Sequence, residues 1–357
     1  MKLNVKRLVV KVGTSSLLHN TGKIDIGRID LLARELADIS ASGVEVILVT
    51  SGAIGVGLCK LGMEKPKSIA KKQALAAIGQ VTLMHLYNKF FGEYGQVVGQ
   101  VLLSKENFLE HEQYLNAKTA LNTMLDMNII PIINENDAIS TSEMKIGDND
   151  TLSATVAALV DADMLIILSD IDGLYNANPT TNPAACLLGV VRDITPEIEN
   201  MAGGAGSSVG TGGMQTKIEA AKVGTSVGIS VVIAKSTPYN VKKILDGEKI
   251  GTLFLPKETH VRERKNWLAF GKRIKGLIKV DAGCEVALQK GSSLLAVGVK
   301  EVEGTFTKGD TLRVLSLDGR EIARGTADFD NAQIQAFLET KAKDKTVIHR
   351  DNLLLMI

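Results

Sequence analysis

Several kinds of residue are scarce in this sequence, and each scarcity excludes a class of protein. The 357 residues contain only three cysteines, Cys59, Cys186 and Cys284, which lie far apart and form no CxxC pair. This pattern excludes a disulfide scaffold or a cysteine-rich zinc site and is typical of a reducing compartment. No apolar run approaches the roughly 18 residues that a membrane helix needs, and no signal peptide is recognisable. We therefore expect a cytoplasmic protein with no membrane partner.

An excess of charge of one sign is also missing. The 41 basic and 40 acidic residues leave a net charge of +1, so we expect no general attraction to nucleic acid or anionic lipid. Hydrophobic residues make up 45% of the chain and charged residues 23%, which excludes a largely disordered protein. Aromatic residues are scarce at 4%, whereas glycine is frequent at 34 residues, which favours loops that hold a ligand by their backbone.

Short apolar runs alternate with helical patterns over the first 255 or so residues. Leu8–Val12, Val44–Val49 and Ile129–Ile133 are strand-like, whereas Ile29–Ile39 repeats apolar residues at helical spacing. Apolar strands separated by helices are typical of a parallel sheet buried on both faces. The sequence predicts an α/β fold, a three-layer sandwich with a mainly parallel central sheet, as a catalytic domain over 1–256.

The pattern changes after Pro256. Residues 257–274 carry a basic run and predict a linker. Short β-type runs follow, and Asp318-Gly319 between two of them is a hairpin signal. We expect a small, mostly β barrel over 275–357, where twelve basic and twelve acidic residues make nucleic-acid binding an unfavoured interpretation.

Small or polar residues follow several of the predicted strands. Lys11 ends the first strand before Gly13-Thr14-Ser15, and Ser51-Gly52 follows the second strand. Turns of this kind expose backbone N–H groups to anions at the carboxyl ends of strands, where α/β sheets bind ligands. Taken alone, a strand-end lysine beside a tight glycine turn is equally well explained by packing.

A dense polar segment follows the strand that ends at Ile133. Its amides, Asn134 and Asn149, can hydrogen-bond a carboxylate, and its carboxylates, Asp137 and Asp150 among them, can hold a substrate ammonium or orient lysines. An N-cap role is the alternative for Asp150, but capping does not explain the other polar residues. We interpret the segment as the substrate side of a site.

The nucleotide side is predicted in two further segments. Ser169 and Asp170 end a strand in a way that suits adenosine or a plain turn. A glycine-rich loop then runs into a helix, which favours polyphosphate binding over a flexible linker. The loop residues in question are Thr211, Gly212, Gly213, Met214, Gln215, Thr216 and Lys217.

Phosphoryl transfer unites these segments. Lys11 and Lys217 can neutralise a moving phosphoryl group from two sides, with Asp150 holding both ammonium groups. Such a reaction depends on positioning and charge stabilisation rather than on covalent chemistry of the protein. The predicted catalytic residues are therefore Lys11, Lys217 and Asp150, and no residue is assigned to a metal.

Six sequence segments occur in a characteristic order: VVKVGTSSL, VTSGAIGVG, PIINENDAI, KIGDNDTLSA, DIDGLY and GTGGMQTK. Together with a small C-terminal domain, they resemble the amino acid kinase family, and within it the branch that phosphorylates glutamate. The resemblance covers nearly the whole chain and implies the amino acid kinase fold followed by a PUA-like domain. It also implies ATP-dependent phosphorylation of the γ-carboxylate of L-glutamate to L-glutamyl 5-phosphate, the first step of proline biosynthesis.

The resemblance assigns roles to the matching residues. The ATP side comprises Lys11, Ser169, Asp170 and the loop Thr211–Lys217, with Lys217 as the transition-state lysine. The glutamate side comprises Ser51, Asp137 and Asn149, to which the polar segment adds Asn134. Asp150 organises the two lysines.

The resemblance also implies partners and control. These are Mg²⁺ with ATP, a homo-oligomer (dimer or tetramer), feedback inhibition by proline, and handover of the labile product to glutamyl phosphate reductase. Glu143 and Lys145, near the glutamate site in sequence, are candidates for that control.

Two alternative functions compete with this interpretation. One is another kinase of the family, acting on acetylglutamate, aspartate, carbamate or UMP; Asp137 close to Asn134 favours a free amino acid instead. The other is an RNA-binding PUA protein with a degenerate kinase domain, which the presence of Lys11, Asp150 and Lys217 disfavours.

Overall fold

The computed structural model describes residues 3–104, 107–108, 110–139, 149–179, 182–202, 213–256, 274–340 and 345–356. The chain divides into two compact units, Met1–Glu106 with Asn116–Lys257, and Asn107–Leu115 with Glu258–Ile357. The predicted linker 257–274 lies outside the described residues, apart from Ile274. Within the described ranges, no helix is both long enough and apolar enough to cross a membrane.

Eight strands and eight helices are described up to residue 256. The strands are β1 (Arg7–Val12), β2 (Glu45–Val49), β3 (Val97–Leu103), β4 (Ile129–Glu135), β5 (Met164–Ser169), β6 (Val190–Val191), β7 (Ser230–Lys235) and β8 (Thr252–Phe254). The helices are α1 (Ile26–Ala41), α2 (Ala53–Leu61), α3 (Ile69–Glu93), α4 (His111–Asp126), α5 (Asn149–Leu159), α6 (Pro196–Ala202), α7 (Met214–Ser226) and α8 (Asn240–Leu245).

These strands form one sheet in the order β3-β4-β2-β1-β5-β7-β8-β6. Neighbours from β3 to β7 pair in parallel, and only the β7–β8 pairing is antiparallel among the strand pairs of this sheet that the structure describes. Parallel pairing brings the carboxyl ends of β1, β2, β4 and β5 to one edge, which is where ligands bind in such sheets.

Alternating side chains divide β1 between two helix layers. Leu8, Val10 and Val12 are fully buried in a core shared with residues of α1, α3 and α8. Lys11 has the opposite parity and reaches Asp150 of α5, on the other side of the sheet. The sheet therefore lies between two layers of helices, and the predicted fold class is confirmed.

Helices α2 and α3 cross with their backbones in contact. A Cβ built on Gly79 would lie 1.8 Å from the carbonyl oxygen of Ala53, and one on Gly57 would lie 2.2 Å from that of Leu75. Only glycine permits so close an approach. The crossing holds α3 against α2, which begins two residues after Ser51.

The C-terminal unit is mostly β. Its strands are β9 (Ile274–Val280), β10 (Leu294–Leu295), β11 (Val299–Gly304), β12 (Thr311–Leu315), β13 (Glu321–Thr326), β14 (Thr346–Ile348) and β15 (Leu353–Leu355), and its helices are α9 (Ala282–Gln289) and α10 (Asn331–Glu339). A five-stranded sheet runs β11-β9-β12-β13-β15 beside the pair β10-β14. The predicted hairpin joins β12 to β13 in antiparallel pairing, with Gly319 at φ +85°.

The α2–α3 crossing generates a stability prediction. The methyl group of Gly79→Ala would overlap the carbonyl oxygen of Ala53. We therefore expect the free energy of unfolding to fall by about 2–3 kcal/mol. Gly92→Ala is the matched control, because a Cβ there meets nothing within 4 Å and alanine favours a helix by up to about 1 kcal/mol. Urea unfolding followed by circular dichroism measures both variants, and equal effects would contradict the close crossing.

Candidate active site

Two lysines and one aspartate form a buried ionic cluster at the carboxyl edge of the sheet. Lys11 Nζ lies 2.5 Å from Asp150 Oδ1, and Lys217 Nζ lies 3.1 Å from Asp150 Oδ2. Thr216 Oγ1 donates a hydrogen bond of 3.0 Å to the same Oδ2. We call these four residues the charge cluster. Lys11, Asp150 and Lys217 are 4%, 0% and 5% exposed, so little solvent screens their interaction.

The two ammonium groups keep Asp150 ionised. Burial by itself would raise the pKa of this carboxyl, but the positive charges of Lys11 and Lys217 and their hydrogen bonds outweigh burial and hold the pKa below its ordinary value of 3.8. The cluster therefore presents two cations and one anion at neutral pH, a net positive charge suited to an anionic ligand.

Three separate elements deliver these side chains. Lys11 comes from β1, Asp150 from the first turn of α5, and Thr216 and Lys217 from the first turn of α7. A carboxylate is favoured near a helix N-terminus, where the backbone N–H groups carry positive partial charge. The N-cap of α7 is Gly213 and makes no side-chain cap hydrogen bond, and the first N–H groups of a helix are suited to an anion.

Gly13 lies beside the ammonium group of Lys11. A Cβ built on Gly13 would lie 3.7 Å from Lys11 Nζ. Any larger side chain at position 13 would extend beyond that contact, next to the charge cluster.

A second group of polar residues adjoins the first. Asn149 Nδ2 lies 2.9 Å from the Thr50 carbonyl oxygen, 2.8 Å from Ser51 Oγ and 3.0 Å from Asn134 Oδ1. Asn134 Nδ2 in turn donates to Gln80 Oε1 at 2.8 Å. We call Ser51, Gln80, Asn134 and Asn149 the amide cluster. Since Asn149 and Asp150 are consecutive, one helix terminus serves both clusters.

The remaining predicted site residues are placed as follows. Asp137 lies half-buried in the turn after β4, Ser169 is the buried last residue of β5, and Asp170 is the exposed residue that follows it. Ser169 Oγ donates to Asp170 Oδ1 at 3.0 Å. Gly213 and Met214 are half-buried at the start of α7, whereas Gln215 is exposed there.

Four residues that the sequence analysis selected lie outside the described residues. They are Thr211, Gly212, Glu143 and Lys145. Across the described ranges, no three His, Cys, Asp or Glu side chains gather as a metal site.

The structure adds two residues of α3 that the sequence analysis did not select. Gln80 contacts Asn134, and the Tyr87 hydroxyl lies 2.8 Å from Thr50 Oγ1. Both belong to a buried stripe at helical spacing with Ala76 and Leu83. The signal that marks Gln80 is a polar residue inside this otherwise apolar stripe.

Comparison with known proteins shows the family of the chain. The model of the amino acid kinase family matches residues 6–235, and that of the PUA domain matches residues 276–348. The chain belongs to the amino acid kinase family. The family resemblance seen in the sequence is therefore confirmed, the protein is an enzyme, and its mostly β C-terminal region is a PUA domain.

Curated relatives extend over nearly the full length. Glutamate 5-kinase of Moorella thermoacetica is 48% identical over 98% of this chain and 96% of its own. Glutamate 5-kinase of Carboxydothermus hydrogenoformans is also 48% identical, over 99% of this chain and 98% of its own.

Solved structures share the fold. UMP kinase from Bacillus anthracis is similar with a TM-score of 0.50 at 15% identity, covering 71% of this chain and 97% of its own. An isopentenyl phosphate kinase is similar with a TM-score of 0.50 at 17% identity, covering 70% and 99%. At identities this low, the structural similarity shows only that the matched part of the chain has the same fold as these kinases. It shows nothing about the acceptor.

The charge cluster generates the second prediction. Asp150→Asn would leave two buried ammonium groups without a counter-charge, so we expect the free energy of unfolding at neutral pH to fall by about 3–5 kcal/mol. The matched exchange Asp38→Asn removes only a surface ion pair with Lys242 and should leave stability unchanged within error. Denaturant titrations of the three proteins measure this, and equal effects of the two exchanges would contradict the role of Asp150.

The difference in unfolding free energy between the wild type and Asp150→Asn should depend on pH in a defined way. Because the pKa of Asp150 is lowered in the folded protein, its contribution is complete above the unfolded-state value of 3.8 and is lost only as the pH falls through the lowered pKa. The difference between wild type and Asp150→Asn should therefore persist from about pH 8 to about pH 4. A difference that disappeared already near pH 6 would contradict the lowered pKa.

Proposed function

We propose that the protein transfers the γ-phosphoryl group of ATP to the γ-carboxylate of L-glutamate, forming L-glutamyl 5-phosphate and ADP. Two kinds of evidence support the choice of acceptor. The full-length relatives at 48% identity are named glutamate 5-kinase, and the amide cluster next to the charge cluster offers hydrogen bonds to an amino acid.

The observation that carries the proposal is the single buried carboxylate that bridges two lysines. In the reaction, an oxygen of the glutamate γ-carboxylate attacks the γ-phosphorus of ATP, and the bond to the β–γ bridging oxygen breaks. Negative charge on the transferred group and on ADP is met from two sides by Lys11 and Lys217. Asp150 does not react; it sets the separation and direction of the two ammonium groups, which is the kind of preorganisation that lowers such barriers.

The acceptor side is the amide cluster together with Asp137. Asn149, at the start of α5, lies within hydrogen-bond distance of Ser51, which follows β2, and of Asn134 in β4. We assign them to the polar groups of glutamate, and Asp137 to its ammonium. An N-acetylated acceptor has no positive charge to offer to Asp137.

The donor side fits a nucleoside triphosphate. Helix α7 is 13 residues long and begins with N–H groups that no N-cap side chain occupies, and Lys217 lies in its first turn. We assign Ser169, Asp170 and Gly213–Lys217 to ATP, with Thr211 and Gly212 from the sequence. Mg²⁺, which binds largely through phosphate oxygens and water, would enter with ATP and neutralise its phosphates.

Further elements of the proposal come from the family resemblance alone. They are a place as the first enzyme of proline biosynthesis in the cytoplasm, feedback inhibition by proline, a dimeric or tetrameric homo-oligomer, and handover of the acyl phosphate to glutamyl phosphate reductase.

Acceptor identity is tested by trapping the acyl phosphate with hydroxylamine. Glutamate, N-acetylglutamate and aspartate are supplied separately with ATP and Mg²⁺, and UMP is assayed by ADP release. We expect product with glutamate and a lower rate when proline is added. Turnover with another acceptor but none with glutamate would keep phosphoryl transfer and overturn the assignment of Asp137 and Asn149.

The transition-state role of Lys217 has its own test. Lys217→Ala removes one of the two charges that meet the phosphoryl group, so we expect kcat to fall about 100-fold or more. Lys222→Ala, on the same helix but in a surface ion pair with Glu199, should keep kcat within about twofold. Steady-state kinetics of the three proteins decide the matter, and a near-normal kcat in Lys217→Ala would exclude the assigned role.

A further inference from the structure

Two atoms of the amide cluster are buried without a hydrogen-bond partner among the described residues. They are the acceptor Asn149 Oδ1 and the donor Gln80 Nε2. Each side chain is 9% exposed. Buried polar groups are nearly always paired, so an unpaired donor and an unpaired acceptor in one cluster point to a ligand that supplies the opposite groups.

The orientation of the amides is fixed by the backbone. The N–H of Glu135 donates to Asn134 Oδ1 at 2.9 Å, which leaves Asn134 Nδ2 to donate to Gln80 Oε1. Gln80 must therefore present its Nε2 hydrogens on the remaining side. Likewise, the Thr50 carbonyl accepts from Asn149 Nδ2, so Asn149 Oδ1 is the end left for another donor.

The position of Gln80 along the sheet decides which part of a ligand it meets. Asn134, its partner, belongs to β4, and β4 is separated from the Lys11 strand β1 by β2. At the usual strand spacing, the two strands lie about 10 Å apart. Gln80 thus contacts a strand two positions away from the one that carries Lys11, which favours a contact to the end of the acceptor that does not react.

We infer that Gln80 is a further substrate-binding residue, whose Nε2 donates a hydrogen bond to the α-carboxylate of the amino acid acceptor. This inference rests on the proposed function, because it takes the acceptor to be a free amino acid. The ammonium group of the same molecule supplies the donor for Asn149 Oδ1. The donor and the acceptor left over in the cluster thus match the two charged groups of an α-amino acid.

Packing alone does not require glutamine at this position. The neighbours of Gln80 in the buried stripe of α3 are apolar, and the close approach of α3 to α2 depends on Gly79, not on Gln80. A role limited to holding Asn134 would need only the acceptor Oε1. The donor Nε2 is the part of the side chain that the inference explains.

Gln80→Glu separates these two roles. The new carboxylate still accepts from Asn134 Nδ2 but has no N–H to donate, and its charge opposes the α-carboxylate. We expect the KM for glutamate to rise about 10- to 100-fold, whereas kcat and the KM for ATP stay within about threefold, as for a contact to a non-reacting group. Gln80→Met, which has neither donor nor acceptor, should raise the KM for glutamate as well.

Asn88→Asp is the matched control. It makes the same amide-to-carboxylate change on an exposed position of α3 and should leave all kinetic constants as in the wild type. Thermal unfolding establishes that each variant is folded. If Gln80→Glu does not fold, Gln80→Met carries the test, and an unchanged KM for glutamate in it overturns the inference.

Other results of these experiments would overturn the inference. A wild-type KM in Gln80→Glu with a raised KM in Gln80→Met would reduce Gln80 to a support for Asn134 and overturn the inference. A fall in kcat at unchanged KM would place Gln80 at the reacting end and overturn it too. If the wild type turns over no glutamate at all, the proposed function fails and this inference fails with it; normal wild-type turnover confines the failure to Gln80.

Discussion

The attraction between one buried carboxylate and two buried ammonium groups is the constraint on which the site depends. Asp150 is fully buried, and Lys11 and Lys217 are almost so. Without Asp150, the two cations would repel each other in a poorly screened environment; without the lysines, the carboxylate would be a costly unpaired charge. Each charge therefore makes the burial of the others tolerable, and the result is a cluster of net positive charge that suits an anionic ligand.

The fold brings these charges together from distant parts of the chain. Strand β1 provides Lys11 on the face that carries α5, while the N-termini of α5 and α7 provide Asp150 and Lys217. Because Asn149 precedes Asp150 on the same helix, the amide cluster and the charge cluster each take one residue from the N-terminus of α5. Helix α3, held by its glycine crossing with α2, contacts Asn134 through Gln80 and Thr50 through Tyr87. A shift in α5 would disturb both clusters at once.

Much of this arrangement is predictable from local patterns. The apolar run Leu8–Val12 predicted β1, and the helical spacing of Ile29–Ile39 predicted α1, whose N-terminus is extended to Ile26 by the Asp25 cap. Parallel strands whose ends carry polar residues place those residues at one edge, so the candidate site followed from the pattern.

The contacts of each side chain cannot be predicted from local patterns, because they depend on packing between elements. Sequence spacing cannot show that Thr216 joins Lys217 on the same oxygen of Asp150, or that a glutamine of α3 reaches Asn134, 54 residues away. The short elements β6, β8 and α6 also escaped prediction, since two- and three-residue strands and a seven-residue helix carry too little periodicity.

The central claim is that Lys11 and Lys217, joined by Asp150, contact the phosphoryl group from two sides during its transfer. A crystal structure with ADP, Mg²⁺, L-glutamate and aluminium fluoride tests it most directly. We predict the fluoride group between the two Nζ atoms, each about 3 Å from a fluorine, with Asp150 still contacting both lysines. A fluoride group bound away from either lysine, or a site in which Asp150 has released one of them, would contradict the account.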